Sequence, residues 1–393
     1  MRLLIAGGGT GGHIYPALAV ASSLRRRTSR PELAWVGGRR GLEQQLVPAA
    51  GIPLHRLVLR SLRTVQRDIH LLLDPVRLAL SVPQALFWLA GRRPAAIFTT
   101  GGYVAIPVLI AARVLGIPSL LWEGNVIPGR SVRATARLAS ALAVSYEPTC
   151  AALESREPCF VTGTPIRDVR AVDRLAAREG LRVPADGRLI VIFGGSQAVR
   201  RLNDAVAEAL PRLVERAIVV HVAGEDGMPG ASAARAALPA ELRDRYRPAA
   251  FLGEDLLGAL AAADLVVGRA GSSTLAETAA FGLPMVVVPY PHAGAHQRAN
   301  AEVLADAGAA ELVDDADFGA DALLAAARIL DDPSRHVAMS AAARAQGRPG
   351  AADAVAEILL ALAERRALPD AAAVARIAGG ALGSQPAVAG APA

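Results

Sequence analysis

Short apolar runs recur along the chain, each leading into glycines or small polar residues and then into a stretch with helical spacing. Leu3 to Ala6, Leu33 to Val36, Ala96 to Thr99, Ser119 to Trp122 and Leu142 to Val144 predict buried strands. The pattern then restarts at Leu189 to Phe193, followed by Ala217 to Val222, Leu265 to Val267 and Met285 to Val288. Helices such as Arg200 to Glu215 and Thr274 to Phe281 fall between the later strands. Strands that alternate with helices imply parallel sheets joined by right-handed crossovers and covered on both faces. The prediction is α/β: two doubly wound, Rossmann-like domains facing across a cleft, residues 1–164 and 165–345, with the boundary in the turn Gly163 to Pro165. A helix from Ala351 to Arg366, within 346–368, is expected to pack back on the first domain. Residues 369–393, mostly Ala, Gly and Pro, read as a largely disordered tail.

The length of 393 residues suits two cores, and 52% apolar against 20% charged residues supplies them. All 42 basic residues are Arg. Without Lys the chain has neither a P-loop nor a Schiff base for pyridoxal phosphate. Cys150 and Cys159 form no disulfide framework and read as ordinary small residues, which fits a reducing cytosol. The charge is lopsided: residues 1–165 carry 19 Arg against 8 acids, the remainder 23 against 28. The first half is therefore expected to meet an anionic partner. No secretory signal segment is evident at the start, and Leu71 to Ala90 is too interrupted by Asp74, Pro75, Arg77 and Pro83 to span a bilayer.

The chemistry concentrates in the glycine turns. Gly7 to Gly12 contains G-x-G-x-x-G between a strand and a helix, where backbone N–H groups and the helix N-terminus favour a diphosphate. A dinucleotide site would want an acid after the second strand, but Val36 runs into Gly37, Gly38, Arg39 and Arg40. The Arg pair leaves an NADP-dependent oxidoreductase open. His13, directly after this loop, is a candidate general base. Thr100-Gly101-Gly102-Tyr103 forms a second turn expected beside the first. In the second half, Gly194-Gly195-Ser196-Gln197 and Gly268 to Glu277 open helices; Ser272, Ser273 and Thr274 are suited to donate to phosphate, and Glu277 to accept from ribose hydroxyls. A capping box, Thr274 with Glu277, is the structural alternative. Asp315-Ala316-Asp317 reads as a solvated loop and not as a metal site. Between Ile69 and Arg93, Leu71, Leu72, Leu73, Val76, Leu80, Leu86, Phe87, Trp88 and Leu89 sit among Arg63, Arg67, Arg77, Arg92 and Arg93. This combination suits docking on anionic lipid, with a buried helix pair as the alternative.

GGGTGGHIYPALAVA, TTGGYVAIP, WEGNVIPG, GTPIR, FGGSQ, RAGSSTLAE and PYPHAGAHQRANA occur in the order and approximate spacing of the MurG family of bacterial peptidoglycan glycosyltransferases, which residues 1 to 345 resemble. The resemblance implies a GT-B fold. It also implies inverting transfer of N-acetylglucosamine from UDP-N-acetylglucosamine to the 4-hydroxyl of undecaprenyl-diphosphate-linked N-acetylmuramyl-pentapeptide at an anionic inner-membrane surface, on the cytoplasmic side. By the same resemblance Ser196, Ser272, Ser273, Thr274 and Glu277 hold UDP, Arg167 lies near the diphosphate, Gln297 and Asn300 meet the donor sugar, and Thr10, Gly11 and Gly12 touch the donor. His13 is the base with Glu123 as second choice, and Gly101, Gly102 and Tyr103 line the acceptor side. Asn125, beside Glu123, is counted with the donor residues. No cofactor, metal or nucleic acid is implied. The chain departs from the family pattern at Ala198 in GGSQAV, at His296 beside Gln297, and at Trp122 and Gly124 in WEGN. Another UDP-sugar transferase of the same fold or a sugar-nucleotide epimerase are the alternatives among related enzymes.

Overall fold

The computed structural model describes residues 1–59, 70–194, 200–253, 255–291 and 296–380. They divide into two compact units. The first comprises Met1–Gly124, Pro128–Arg167 and the segment from Arg348 onward; the second comprises Asn125–Ile127 and Asp168–Gly347.

The first unit holds seven strands: β1 (Arg2–Ala6), β2 (Glu32–Gly37), β3 (Leu54–Arg56), β4 (Ala96–Thr99), β5 (Ser119–Glu123), β6 (Ala141–Val144) and β7 (Cys159–Val161). They pair in parallel in the order β3-β2-β1-β4-β5-β6-β7. The order reverses between β1 and β4, where Leu3 pairs with Ala96 and Ala6 with Thr99, so the turns after these two strands emerge side by side. Such a reversal is where open α/β sheets bind ligands. The strands read as unbroken apolar runs because helices cover both faces. Leu3, Ile5, Trp35 and Phe98 are fully buried against Ile14, Val20 and Leu24 of the helix Gly11–Arg27.

The second unit repeats the design with six strands: β8 (Leu189–Phe193), β9 (Ile218–Val222), β10 (Tyr246–Ala249), β11 (Leu265–Gly268), β12 (Met285–Val287) and β13 (Ala310–Leu312), ordered β10-β9-β8-β11-β12-β13. Its reversal lies between β8 and β11, with Gly268 opposite Phe193. Next to the sheet's outer half, His221 on β9 is enclosed. Its Nδ1 lies 2.8 Å from the Tyr246 hydroxyl and its Nε2 3.0 Å from Asn203 Oδ1. Burial lowers the His221 pKa to about 4.

The helix Ala351–Glu364 packs within the first unit against Gly11–Arg27, where buried Asp353 accepts from Ser23 Oγ at 2.6 Å and pairs with Arg26 at 3.1 Å. The expectation of a largely disordered stretch from 369 needs correction, because Ala371–Ala378 is a helix. Asp370 caps it, accepting from the Ala373 N–H at 2.7 Å, and Val374 and Ala378 are buried in the first unit's core. One cap and two well-placed apolar residues suffice where a neighbour supplies the packing surface. Residues 381–393 lie outside the described residues. The cysteines also need correction: Cys150 and Cys159 are disulfide-bonded, with Cα atoms 5.9 Å apart. The short helix Glu147–Ala152 turns back onto edge strand β7 and brings the two sulfurs together.

Among the described residues no helix is long and apolar enough to cross a membrane. The helix His70–Arg92 is amphipathic: Ser81, Ala85 and Leu89 face the core, while Leu73, Val76, Leu80 and Phe87 are exposed, Phe87 at 83%. Arg92 and Arg93 are exposed at its end. Trp88 belongs to the fold, stacked on His55 at 4.8 Å and covered by the Arg92 guanidinium at 4.9 Å. Arg63 and Arg67, expected to flank the patch, lie outside the described residues.

Candidate active site

In the first unit, chain turns after β1 and β4 build one group. Gly7 is tied down at both ends, its N–H donating to Val36 O at 3.1 Å and its carbonyl accepting from Trp35 Nε1 at 2.8 Å. Thr10 in extended conformation precedes the helix Gly11–Arg27, and this places His13 in the helix's first turn. His13 Nδ1 lies 2.8 Å from the Thr100 carbonyl oxygen. A carbonyl only accepts, so Nδ1 carries the proton, and in the neutral ring Nε2 then presents its lone pair. Gly102, with φ +73°, runs past the ring: a Cβ built there would lie 3.8 Å from His13 Nε2. Gly101 is equally constrained, since at φ +79° a Cβ would sit 2.6 Å from Val132 Cγ2. The Tyr103 hydroxyl reaches to 3.5 Å from Arg40 O. Glu123 ends β5, is buried, and accepts from the Gly129 N–H at 2.9 Å. Arg167 is half-buried where the first unit's middle segment ends.

In the second unit the turn after β11 opens the helix Ser272–Phe281, with Gly271 as N-cap. The helix starts two residues earlier than the sequence suggests. Thr274 therefore lies inside its first turn, and the capping box is not formed. Ser272, Ser273 and Thr274 share that turn, and Glu277 is buried one turn on. The Ser273 Oγ is buried and has no hydrogen-bond partner among the described residues. A buried hydroxyl without a partner costs about 1–3 kcal/mol, and at a helix N-terminus an anion is the natural group to satisfy it. Ser196 and its turn lie outside the described residues.

Residues around this turn brace it from behind. Gln297 Oε1 accepts from the Ala270 N–H at 3.2 Å and the Tyr290 N–H at 2.9 Å, which leaves its amide NH2 as the group able to meet a ligand. Asn300, 1% exposed, is engaged internally: its Oδ1 accepts from the Val126 N–H and its Nδ2 donates to Asn125 Oδ1, both at 3.0 Å. His296 Nδ1 lies 2.8 Å from Ile127 O. Thus Asn125 and Asn300 are brought together, as partners of one another.

The glycosyltransferase family 28 N-terminal domain matches residues 3–144 and the family 28 C-terminal domain residues 189–355. A UDP-N-acetylglucosamine--N-acetylmuramyl-(pentapeptide) pyrophosphoryl-undecaprenol N-acetylglucosamine transferase from Desulforudis audaxviator is 36% identical over 374 residues, covering 92% of this chain and 99% of that protein. One of the same name from Methylococcus capsulatus is 38% identical over 368 residues, covering 91% and 98%. The crystal structure of Acinetobacter baumannii MurG superposes with a TM-score of 0.72 at 30% identity, covering 91% of this chain and 99% of that one. The chain belongs to the MurG family of glycosyltransferases. Its fold is accordingly the two-domain GT-B type.

Within this MurG-family chain three residues bear on the turns that sequence reasoning missed. Arg269, 4% exposed, donates to Val288 O at 3.1 Å, pairs with Asp315 at 2.5 Å and lies 5.6 Å from the Tyr290 ring centre. The reading of Asp315 as a solvated loop residue is corrected: its carboxylate joins Arg269 and Arg201, the latter at 3.2 Å, and so holds the strand end that carries the Ser272–Thr274 turn. The third is Glu43, whose fully buried carboxylate reaches the first glycine turn. Each pairing spans tens of residues, and no local spacing announces it.

Proposed function

We propose that the chain transfers N-acetylglucosamine from UDP-N-acetylglucosamine to the 4-hydroxyl of undecaprenyl-diphosphate-linked N-acetylmuramyl-pentapeptide, with inversion at the anomeric carbon. The observation that carries this reading is the match along nearly the whole of both chains to relatives bearing that activity in their names. The local chemistry agrees with it. His13 Nε2 accepts the proton of the attacking hydroxyl while Thr100 O holds the ring through Nδ1. The acceptor oxygen forms its bond to the anomeric carbon as the bond to the β-phosphate oxygen breaks, and UDP leaves with the electron pair. The negative charge growing on the diphosphate is met by the hydroxyls of Ser272, Ser273 and Thr274 and by the N–H groups of their helix turn. Glu277 accepts from the ribose hydroxyls, and the Gln297 amide donates to the sugar.

His13 is favoured over Glu123 as base because one Glu123 oxygen already accepts from Gly129 and the carboxylate is buried, whereas the His13 Nε2 lies beside a glycine. The exposed Leu73, Val76, Leu80 and Phe87, ending at Arg92 and Arg93, support peripheral docking on an anionic membrane surface on the cytoplasmic side, where a polyprenyl-linked acceptor resides. The test is a labelled-sugar assay: wild-type protein moves label from UDP-N-acetylglucosamine onto a lipid-linked muramyl acceptor in anionic vesicles. Release of free sugar or epimerised UDP-sugar without labelled lipid would reject the reading. Replacing Leu80 and Phe87 by Ser is expected to reduce vesicle flotation with UDP affinity unchanged, and equal flotation would reject this docking face.

A further inference from the structure

Glu43 begins the short helix Glu43–Ala49 and is 0% exposed, yet no cation faces its carboxylate among the described residues. Two backbone amides hold it instead. Oε2 accepts from the Gly9 N–H at 2.9 Å, and Oε1 from the Gly38 N–H at 3.2 Å. Three glycines make room for it. A Cβ at Gly8 would lie 2.6 Å from Oε1, one at Gly41 2.1 Å from Oε2, and one at Gly37 3.0 Å from Cγ. A buried carboxylate is costly unless hydrogen-bonded, so this seat constrains the backbone on both sides of it.

The seat lies in the first glycine turn itself. In a dinucleotide-binding protein the N–H groups of such a turn face a pyrophosphate. Here the chain's own carboxylate takes the Gly9 N–H, so the turn is held in shape before any ligand arrives. Gly9, at φ +96°, is followed directly by Thr10, whose carbonyl accepts from the N–H groups of His13 and Ile14 at 3.1 and 3.2 Å. The path from carboxylate to imidazole is therefore Glu43 to Gly9, Gly9 to Thr10, and Thr10 to the first turn that carries His13.

We propose that Glu43 is a positioning residue for the transfer reaction: a built-in anion that sets the Gly7–Gly12 turn and thereby the place of His13. This rests on the proposed function and deepens it. The role accounts for the glycines at 8, 37 and 41, and it predicts a defect in turnover and not in donor binding.

The test uses the full chain with lipid-linked acceptor, and turnover is normalised to the fraction of molecules that bind UDP. Glu43→Gln puts an amide NH2 against one of two N–H donors and is expected to lower kcat at least about tenfold, with the UDP Kd within about twofold of wild type. Gly8→Ala keeps Glu43 but pushes on its Oε1, and it is expected to lower kcat in the same way. Added to Glu43→Ala, where the space is vacant, Gly8→Ala should cost less than twofold more. If Glu43→Gln does not fold, Gly8→Ala and the Glu43→Ala pair carry the test, read by the same two quantities. Two outcomes overturn the proposal: kcat within twofold of wild type in the folded single variants, or losses from Gly8→Ala that are the same with and without Glu43. A wild-type chain that binds UDP but transfers no sugar to the lipid acceptor would reject the proposed function, and this inference with it.

Discussion

Each sheet places a glycine-containing turn beside its strand-order reversal, after β1 in the first unit and after β11 in the second, and the two are used differently. In the first unit the turn is filled from within: Val36, Trp35 and Glu43 take up the polar groups of Gly7 and Gly9, and Thr100 O takes His13 Nδ1. In the second unit Arg269, Asp315 and Gln297 brace the turn, while the Ser273 hydroxyl is buried without a partner among the described residues. A turn whose Gly7 and Gly9 N–H groups are already engaged by the chain itself is suited to holding a base in one orientation. A turn with a donor left over is suited to capturing an anion. The shared strand order thus sets where each site lies, and a handful of side chains decides what it does.

This contrast is sharpest at His13. His13→Ala is expected to lower kcat by about 100-fold or more with UDP affinity unchanged, the range of a general base; steady-state kinetics at saturating donor would show it, and a loss under tenfold would remove His13 as base. Glu277→Ala, on the other side of the comparison, should raise the donor KM by about tenfold to a hundredfold and leave kcat within a few-fold, as expected for a lost charged hydrogen bond. An unchanged donor KM would leave Glu277 without a ligand role.

The second unit's response to acid can be read from His221. His221 has a pKa of about 4 when folded against 6.5 when exposed, so the unfolded chain takes up the proton first as pH falls. Its contribution is full above pH 6.5 and is lost as pH drops from there towards 4. By pH 5 the second unit should be weaker by about 2 kcal/mol, visible as faster amide exchange in β9 and β10. His221→Gln should flatten this dependence. The smallest expected effect is at Ser273: Ser273→Ala should weaken UDP by about fivefold to tenfold while leaving the free protein equally stable or slightly more so, because the hydroxyl has no partner among the described residues to lose. Loss of stability without loss of affinity would make it a packing residue.

The central strands and the turns after them were legible because buried parallel strands are written as continuous apolar runs ending in glycine. Edge strands β3, β7, β10 and β13 were not. LHR, CFV, YRPA and AEL are three or four residues long and carry polar or exposed positions, so only pairing with a neighbour makes them strands. The site was half legible for a related reason. His13, the Ser272–Thr274 turn and Glu277 sit in local motifs, whereas Glu43 meets Gly9 across 34 residues and Asp315 meets Arg269 across 46. Before folding, an acid at the head of a short helix and an acid in a polar loop look like ordinary solvated carboxylates. Cys150 and Cys159 read as ordinary small residues because nine residues of separation specify no geometry until the intervening helix folds back.

The division of labour between the two turns is tested most directly by calorimetric titration of UDP into three full-length proteins: wild type, His13→Ala, and Ser273→Ala combined with Glu277→Ala. The structure predicts equal affinity for the first two and at least about tenfold weaker binding for the third. Weakened binding in His13→Ala, or wild-type affinity in the double variant, would contradict the assignment of nucleotide capture to the second unit's turn.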